Sequence, residues 1–268
     1  MMVCKLIGQK KILNYASTYD PLGLLSPLSL AWDEQLPTDL TQQWMKIYGT
    51  WKGSIEIPRR YIKEKFPDDL EIHGFGDASK FAYCAAVYLR IPTKDGFETP
   101  LVFAKTRLQP MNKNFTIPQM EVMGIWLAAK IICYVVKEMG LTNAPKYLWT
   151  DSKIAFYWFK KWPKEVFVTN RLKEVLVANA ECLFVPGVMN PADLGTRGIL
   201  FDELQAASIW WKGPEFLRKS RDEWPKIPEL AADLTQTIIA LVSIGEEAAS
   251  ASMQIIETDH CEEDKKFR

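Results

Sequence analysis

Between residues 70 and 108 the pattern of hydrophobic and polar residues is typical of β-strands. Residues 70–76 alternate and end at Asp77, residues 83–91 are rich in strand-forming side chains, and residues 97–108 follow a turn at Lys94-Asp95-Gly96. Consecutive strands joined by short links pair in an antiparallel manner. We therefore predict a three-stranded antiparallel meander.

From residue 118 onwards the apolar residues recur at helical spacing. Pro118 suits the first turn of a long helix, where its missing N–H does no harm, and Gly140 suits the C-cap of that helix. The elements predicted after it are a short buried strand over 147–151, helices over 152–161 and 168–180, a strand over 181–185 and a helix that opens at 190–193. Strands that alternate with helices favour parallel pairing, so the predicted fold class is α/β, with a mixed sheet and helices on its faces.

The two flanks of this region have different compositions. Residues 1–69 are rich in turn signals and aromatic residues, and they predict a small α+β region with a helix over 38–51. Residues 201–225 are rich in tryptophan and are predicted as a linker. Residues 226–268 are rich in acidic residues and predict a loosely ordered tail.

The charge is unevenly distributed along the chain. There are 33 basic and 33 acidic residues, a formal net charge of zero, which taken alone argues against a nucleic-acid ligand. However, residues 71–200 hold 16 basic and 11 acidic residues, whereas residues 226–268 hold 4 and 9. The basic central region therefore keeps nucleic acid among the expected partners.

Cysteine and histidine are too sparse for several common kinds of site. The 5 cysteines form no C-x-x-C pair and there are 2 histidines, which disfavours a zinc site of the usual spacing and a histidine-dependent hydrolase triad. The sequence has neither the apolar core of a signal peptide near its start nor an unbroken apolar run of about 18 residues. We expect a reduced intracellular protein, cytoplasmic or nuclear, with no membrane partner.

Four acidic residues stand at the ends of predicted elements. Asp77 ends the first strand, Asp151 ends the fourth, Glu121 lies in the first turn of the long helix, and Asp193 lies at the start of the last helix. Ligands of open sheets bind at the carboxyl ends of strands, so we expect these acids to converge. Converging carboxylates repel one another unless cations lie between them, which predicts a site for two Mg²⁺ or Mn²⁺ ions. Taken singly, each acid is also compatible with helix capping.

A series of short motifs follows along the chain. They include Tyr19-Asp20-Pro21-Leu22-Gly23, Trp32-Asp33-Glu34, Phe75-Gly76-Asp77-Ala78-Ser79, Ala104-Lys105-Thr106-Arg107, Ile117-Pro118-Gln119-Met120-Glu121, Trp149-Thr150-Asp151-Ser152, Asn170-Arg171, Asn190-Pro191-Ala192-Asp193 and Trp210-Trp211-Lys212-Gly213. In this order they resemble the polymerase-to-integrase region of Bel/Pao-type LTR retrotransposon polyproteins, over residues 8–225. So many motifs in one order make the resemblance specific.

The resemblance implies a ribonuclease H-like domain over residues 70–200, preceded by a polymerase connection-like remnant over residues 1–69. It implies cleavage of the RNA strand of RNA–DNA hybrids with two divalent metals, and it places Asp77, Glu121, Asp151 and Asp193 on the metal-binding acids of the family. Other parts of a retroelement polyprotein are further expected partners.

Six more residues lie in or beside these motifs and are expected to contact the hybrid: Ser79, Lys105, Arg107, Ser152, Asn170 and Arg171. Each of them also has a simpler interpretation. A serine after an aspartate often caps a helix, and Arg171 is compatible with a plain surface charge. Lys105 and Arg107 are compatible with one solvated face of a strand.

Three departures from the family pattern leave other functions open. Phe184 takes the place of a histidine that is expected to help product release or proton transfer. A helical stretch between Leu30 and Trp32 is missing, and there is neither a Tyr-x-Asp-Asp polymerase motif nor an integrase domain. These departures are typical of a fragment, or of a broken or domesticated element.

We therefore keep two alternatives to the nuclease. One is a catalytically impaired or domesticated remnant that binds nucleic acid or protein. The other, less favoured, is a retroelement aspartic peptidase, because the Asp-Thr/Ser-Gly turns of such an enzyme are replaced here by Asp77-Ala78-Ser79 and Asp151-Ser152-Lys153.

Overall fold

The computed structural model describes residues 2–4, 55–57, 66–109 and 115–226. Strand β1 (Met2–Cys4) pairs antiparallel with β2 (Ile55–Ile57). The predicted helix over 38–51 lies outside the described residues. The predicted acidic tail also lies outside them, apart from its first residue.

A six-stranded mixed sheet forms the centre of the protein. Its strands are β3 (Glu71–Ala78), β4 (Ala82–Thr93), β5 (Gly96–Glu98), β6 (Leu101–Leu108), β7 (Lys146–Thr150) and β8 (Glu181–Phe184). Strand β4 pairs antiparallel with β3, β5 and β6, whereas β7 lies parallel to both β3 and β8. The predicted α/β class and its antiparallel-plus-parallel sheet are therefore confirmed.

The predicted strand over 97–108 is two strands in the structure, β5 and β6. The break falls at Thr99 and Pro100, where proline has no N–H to donate to a ladder. The carbonyl of Pro100 instead accepts a hydrogen bond from the Leu89 N–H, at 3.2 Å. The register of β4 against β6 also shifts between Val87 and Tyr88, so the pairing bends where the second strand begins.

Helix α1 (Ile117–Met139) is the central helix, and both of its predicted ends are confirmed. Thr116 caps its start in a capping box with Gln119, and Gly140 ends it in the left-handed conformation, with φ 68°. By length and composition alone this helix is long and apolar enough to cross a membrane. However, 67% of its most apolar window is buried inside the protein, because it packs along the sheet as a core helix.

The remaining helices are short. They are α2 (Lys153–Lys160), α3 (Val166–Leu176), α4 (Ala192–Arg197), α5 (Phe201–Ala206) and α6 (Ser208–Lys212), with 3₁₀ turns at Gly187–Met189, Glu215–Arg218 and Arg221–Glu223. Helix α3 ends four residues before the predicted end at 180. The reason is local, because Asn179 adopts the left-handed conformation, with φ 48°.

Residues 201–225, predicted as a tryptophan-rich linker, pack on the sheet. Trp210 and Leu217 are fully buried. The Tyr88 hydroxyl donates to the Trp210 carbonyl at 2.8 Å, and the Arg90 Nε donates to the Leu217 carbonyl at 2.7 Å. This segment and α4 cover one face of the sheet, while α1, α2 and α3 cover the other. The predicted helices on both faces are thus present.

A buried ionic cluster fastens the end of this segment to β3. The Glu71 carboxylate accepts hydrogen bonds from His73 at 3.2 Å, Arg90 at 2.9 Å and Arg221 at 2.8 Å. Burial raises the pKa of Glu71, but the hydrogen bonds from His73 and Arg221 and the charge of Arg90 outweigh it and lower the pKa to about 2. The Trp149 indole donates to Nδ1 of His73 at 3.1 Å, which places the ring proton on Nε2, facing Glu71.

Candidate metal centre

Asp77, Glu121 and Asp151 converge at one end of the sheet. Each offers a carboxylate oxygen, and these three oxygens lie within 4.8 Å of one another. Asp77 lies near the end of β3 and Asp151 follows β7, and these two strands are parallel neighbours. Glu121 enters from the second turn of α1, one residue beyond the predicted first turn. The predicted convergence is therefore present for three of the four acids.

Two glycines allow α1 to lie directly against β3. A Cβ atom on Gly124 would lie 2.5 Å from the backbone oxygen of Asp77, and one on Gly76 would lie 2.6 Å from the carbonyl carbon of Gly124. No side chain fits into such a gap. Since Gly124 lies one turn after Glu121, this close approach brings the Glu121 carboxylate beside Asp77.

Two buried polar side chains orient the aspartates. The Asn190 amide donates to the Asp151 carboxylate and to the Gly76 carbonyl, both at 3.1 Å. Asn190 is only 2% exposed, and its side-chain Oδ1 accepts a hydrogen bond from the Ala192 N–H at 3.2 Å. The Thr196 hydroxyl donates to the Asp77 carboxylate. The loop before α4 and the helix itself therefore fix both aspartates.

The three acids are held in an unfavourable electrostatic environment. Burial, together with the charges of the neighbouring acids, raises the pKa of Asp77 to about 7 and that of Glu121 to about 9. Burial also raises the pKa of Asp151. The Glu121 Oε2 atom is buried and has no hydrogen-bond partner among the described residues. A bound divalent cation would satisfy this oxygen and offset the repulsion, so the donor set fits Mg²⁺ or Mn²⁺.

Asp193 lies near these acids but outside their tight group. Its charge contributes to the raised pKa of Asp77, Glu121 and Asp151. Its carboxylate accepts a hydrogen bond from the Arg197 Nε at 2.6 Å, an i,i+4 ion pair on α4. The structure therefore places Asp193 near the three acids, with its carboxylate paired to Arg197.

The two serines predicted to contact the hybrid accept hydrogen bonds from backbone N–H groups in the structure. The Ser79 hydroxyl oxygen accepts the Phe81 N–H at 3.3 Å and the Ala82 N–H at 3.1 Å, in the turn between β3 and β4. The Ser152 hydroxyl oxygen caps α2 by accepting the Ala155 N–H at 3.3 Å. Both serines lie beside a site aspartate and shape the backbone there.

The four other predicted substrate contacts are dispersed. Lys105 and Arg107 are exposed on the edge strand β6, and Asn170 is exposed on α3. Arg171 joins α1 to α3: it donates to Glu174 at 2.6 Å and lies 4.9 Å from the centre of the Trp126 ring. The structure therefore places Arg171 in a cluster between the two helices, with Glu174 and Trp126 as its partners.

Phe184 is buried at the end of β8, and its ring lies 6.4 Å from that of Phe156. Histidine is present once in the described part of the chain, as His73, and it is fully buried beside Glu71. No imidazole therefore lies beside the three acids within the described ranges. In the loop after β8, a Cβ atom on Gly187 would lie 2.9 Å from the Asp151 Oδ2.

The sequence matches the family described as the Pao retrotransposon-like RNaseH-like domain over residues 9–152. The chain belongs to this family. The match to the Pao retrotransposon-like domain covers more than half of the chain and includes Asp77, Glu121 and Asp151. It ends before Asn190 and Asp193, which the structure adds to the site. No curated protein matches the sequence.

The sequence prediction missed several residues that build this site. The sequence predicts Asn190 as the start of a helix within a family motif, without a contact to Asp151, and it predicts no role for Thr196, Gly124 or Gly187. The signal for Asn190 was its place beside Asp193 in Asn190-Pro191-Ala192-Asp193. A second missed feature is the loop from α2 to α3, where Lys161 and Lys164 are exposed and Trp162 is 42% exposed.

Proposed function

We propose that this protein is a metal-dependent nuclease that hydrolyses the RNA strand of RNA–DNA hybrids. The observation that carries this proposal is the convergence of Asp77, Glu121 and Asp151 on an RNaseH-like sheet. The buried Glu121 Oε2, which has no partner within the described residues, supports a cation there. The aspartic peptidase is disfavoured, because a third buried carboxylate accompanies the two aspartates and the family match is to an RNaseH-like domain.

Asp77, Glu121 and Asp151 would hold the cations, and Asp193 would complete the set when its carboxylate turns from Arg197. Divalent cations held there would activate a water molecule and stabilise the leaving oxygen of a phosphodiester. Asn190 and Thr196 donate hydrogen bonds to the two aspartates and keep them oriented, as residues around a metal site commonly do for its ligands. Because the pKa of Glu121 is raised, its carboxyl group would release a proton on binding a cation at neutral pH.

Two exposed basic surfaces suit a duplex that lies across this site. One consists of Lys105 and Arg107 on β6. The other is the loop with Lys161, Trp162 and Lys164 at the end of α2, a helix that starts two residues after Asp151 and extends about 12 Å. Lysine and arginine contact phosphates, and an exposed tryptophan offers a stacking surface. These surfaces support nucleic acid as the ligand.

The second candidate function is that of a binding module with little or no catalysis, and Phe184 is the observation that favours it. Its ring is packed against Phe156 and cannot transfer a proton. Both functions require binding of the hybrid, and only the nuclease cleaves it. In the binding module, hybrid affinity persists without strand cleavage.

RNA-strand cleavage tests the proposal. The full chain is incubated with a hybrid whose RNA strand is labelled, in Mg²⁺ or Mn²⁺. The Asp77→Asn variant is measured in parallel, with Asp202→Asn, which changes an exposed acid on α5, as the matched control. Cleavage that is lost in Asp77→Asn and kept in Asp202→Asn supports the nuclease. Hybrid binding without cleavage in all three proteins supports the binding module.

A further inference from the structure

Phe81 is the most exposed aromatic side chain of the described residues, at 69%. It lies in the turn between β3 and β4, four residues after Asp77. A single exposed hydrophobic side chain is ordinary by itself, so the ring supports an inference only together with its surroundings. Its position beside the carboxylate site raises the question of what it contacts.

The backbone of the turn fixes the ring outward. The Ser79 N–H donates to the Ala82 carbonyl at 2.8 Å, and the Ser79 hydroxyl oxygen accepts the Phe81 N–H at 3.3 Å. From the neighbouring strand, the Gln109 N–H donates to the Phe81 carbonyl at 2.7 Å. Hydrogen bonds within the turn and from the neighbouring strand therefore hold Phe81 in its exposed position.

The surroundings of the ring are basic. The Lys80 Nζ lies 5.6 Å from the centre of the Phe81 ring. Arg107 pairs in register with Tyr83, two residues from Phe81, and Lys105 lies two residues further along the same face of β6. None of these three basic residues makes an ion pair with another described residue. An aromatic ring among free positive charges is complementary to a nucleic acid strand.

The strand register gives the distance from the site. Asp77 pairs with Cys84 across the hairpin, so Phe81 lies about 10 Å beyond Asp77 along the strand direction. Along a duplex axis, about 10 Å corresponds to about three nucleotide steps. A nucleic acid strand that is held at the carboxylates and runs along β4 would therefore reach the ring.

We propose that Phe81 packs its ring against a nucleotide of the RNA–DNA hybrid about three steps from the phosphate at the carboxylate site, with Lys80 on the adjacent phosphate. This inference rests on the proposed function and adds a positioning contact to it. A hybrid presents sugars and base edges in a wide, shallow groove, which a projecting ring can reach.

Binding of a labelled RNA–DNA hybrid tests the contact, measured by fluorescence anisotropy in the uncleaving Asp77→Asn background. Phe81→Ala should weaken hybrid binding by about 5-fold or more, as expected for loss of one aromatic contact, whereas Phe81→Tyr should stay within about twofold of the parent. Val177→Ala, which shortens an apolar side chain that is 76% exposed at the end of α3, is the matched control and should bind like the parent. With the Asp77 carboxylate restored, Phe81→Ala should raise KM and leave kcat within about twofold.

Unchanged hybrid affinity in Phe81→Ala overturns the contact while leaving the nuclease intact. If Phe81→Ala instead converts a self-associated protein to monomers with hybrid binding unchanged, the ring contacts a second copy of the chain and the inference is wrong. A parent protein that binds no hybrid at all overturns the proposed function, and the contact with it. Unchanged unfolding temperatures in both Phe81 variants show that a loss of binding is local.

Discussion

The side-chain amide of Asn190 bridges the Asp151 carboxylate and the Gly76 carbonyl, with both hydrogen bonds at 3.1 Å. Through this one residue the loop before α4 is joined to the ends of both central strands. The relationship explains how a segment about 40 residues after Asp151 holds the site in shape, and it gives the first prediction.

Asn190→Ala should lower both the stability and the cation affinity of the protein. The Gly76 carbonyl loses a buried partner, which costs about 1–3 kcal/mol in the free energy of unfolding, and Asp151 loses its orientation, which weakens divalent-cation binding by about 10- to 100-fold. Asn170→Ala, at an exposed position of α3, is the control and should change neither quantity. Thermal unfolding and Mn²⁺ titration calorimetry measure the two effects. Wild-type cation affinity in Asn190→Ala would show that Asp151 needs no such support.

The acids make the cation-free protein less stable as the pH rises. In the folded state the pKa of Asp77 is about 7 and that of Glu121 about 9, against ordinary values of 3.8 and 4.5. Between pH about 4 and 9 the folded state thus binds more protons than the unfolded state, and stability falls with rising pH. The unfolding temperature in EDTA should decrease across this range, and Mg²⁺ or Mn²⁺ should restore it at the alkaline end. Glu121→Gln should exceed wild type at pH 9 in EDTA; a variant less stable than wild type there would count against this electrostatic account.

The contact between α1 and β3 should tolerate no added methyl group. Alanine is a better helix former than glycine, yet Gly124→Ala places its Cβ atom 2.5 Å from the Asp77 backbone oxygen, so we expect a net loss of about 1–3 kcal/mol in stability. Gly187→Ala meets only the end of the Asp151 side chain, at 2.9 Å. It should lower cation affinity while keeping stability within about 0.5 kcal/mol. Urea unfolding measures the stability of both variants. Equal losses of stability would contradict the account, because only the Gly124→Ala methyl group clashes with backbone atoms.

The buried ionic cluster should dominate the acid stability of the domain. Glu71→Gln leaves the buried Arg90 without its charged partner, so we expect a loss of about 3–5 kcal/mol. Glu174→Gln, in the more exposed cluster with Lys130 and Arg171, should cost no more than about 1 kcal/mol. The folded-state pKa of Glu71, about 2, lies below its ordinary value of 4.5. The stability it contributes is therefore present above pH 4.5 and lost as the pH falls to about 2, where wild type and Glu71→Gln should converge. If the difference in stability between wild type and Glu71→Gln stays constant down to pH 2, the ionised carboxylate of Glu71 is not its source.

The loop between α2 and α3 should contribute to the salt dependence of hybrid binding. Replacing both Lys161 and Lys164 by alanine removes two phosphate contacts, so the slope of log K against log salt should fall by about 0.7–0.9 for each. Lys94→Ala, in the turn before β5, is the matched control because it is exposed at the opposite end of the central strands. An unchanged slope in the double variant would show that Lys161 and Lys164 do not contact the phosphates of the hybrid.

The sheet was predictable because strand-forming residues fill residues 70–108 between turn signals. The long helix was predictable because Pro118 and Gly140 mark its ends. The split at Pro100 was missed, since strand-forming residues continue on both sides of it. The three converging acids were predictable from their places at element ends. Asn190, Thr196 and the glycine contacts were not, because they depend on which loops meet in three dimensions. For the same reason the packing of residues 201–225 on the sheet could not be predicted from a tryptophan-rich composition. The contacts of Arg171 with Glu174 and Trp126 could not be predicted either.

The measurement that tests the central claim most directly is the rate of RNA-strand cleavage in a labelled hybrid as a function of Mn²⁺ concentration, in wild type and in Glu121→Gln. Glu121 supplies the buried oxygen that has no partner in the described part of the chain. The account predicts no cleavage in EDTA, cleavage that rises to saturation with Mn²⁺ in wild type, and a rate at least about 100-fold lower in Glu121→Gln, the scale of losing a group that stabilises the transition state. Equal rates in the two proteins, or cleavage that persists in EDTA, would contradict it.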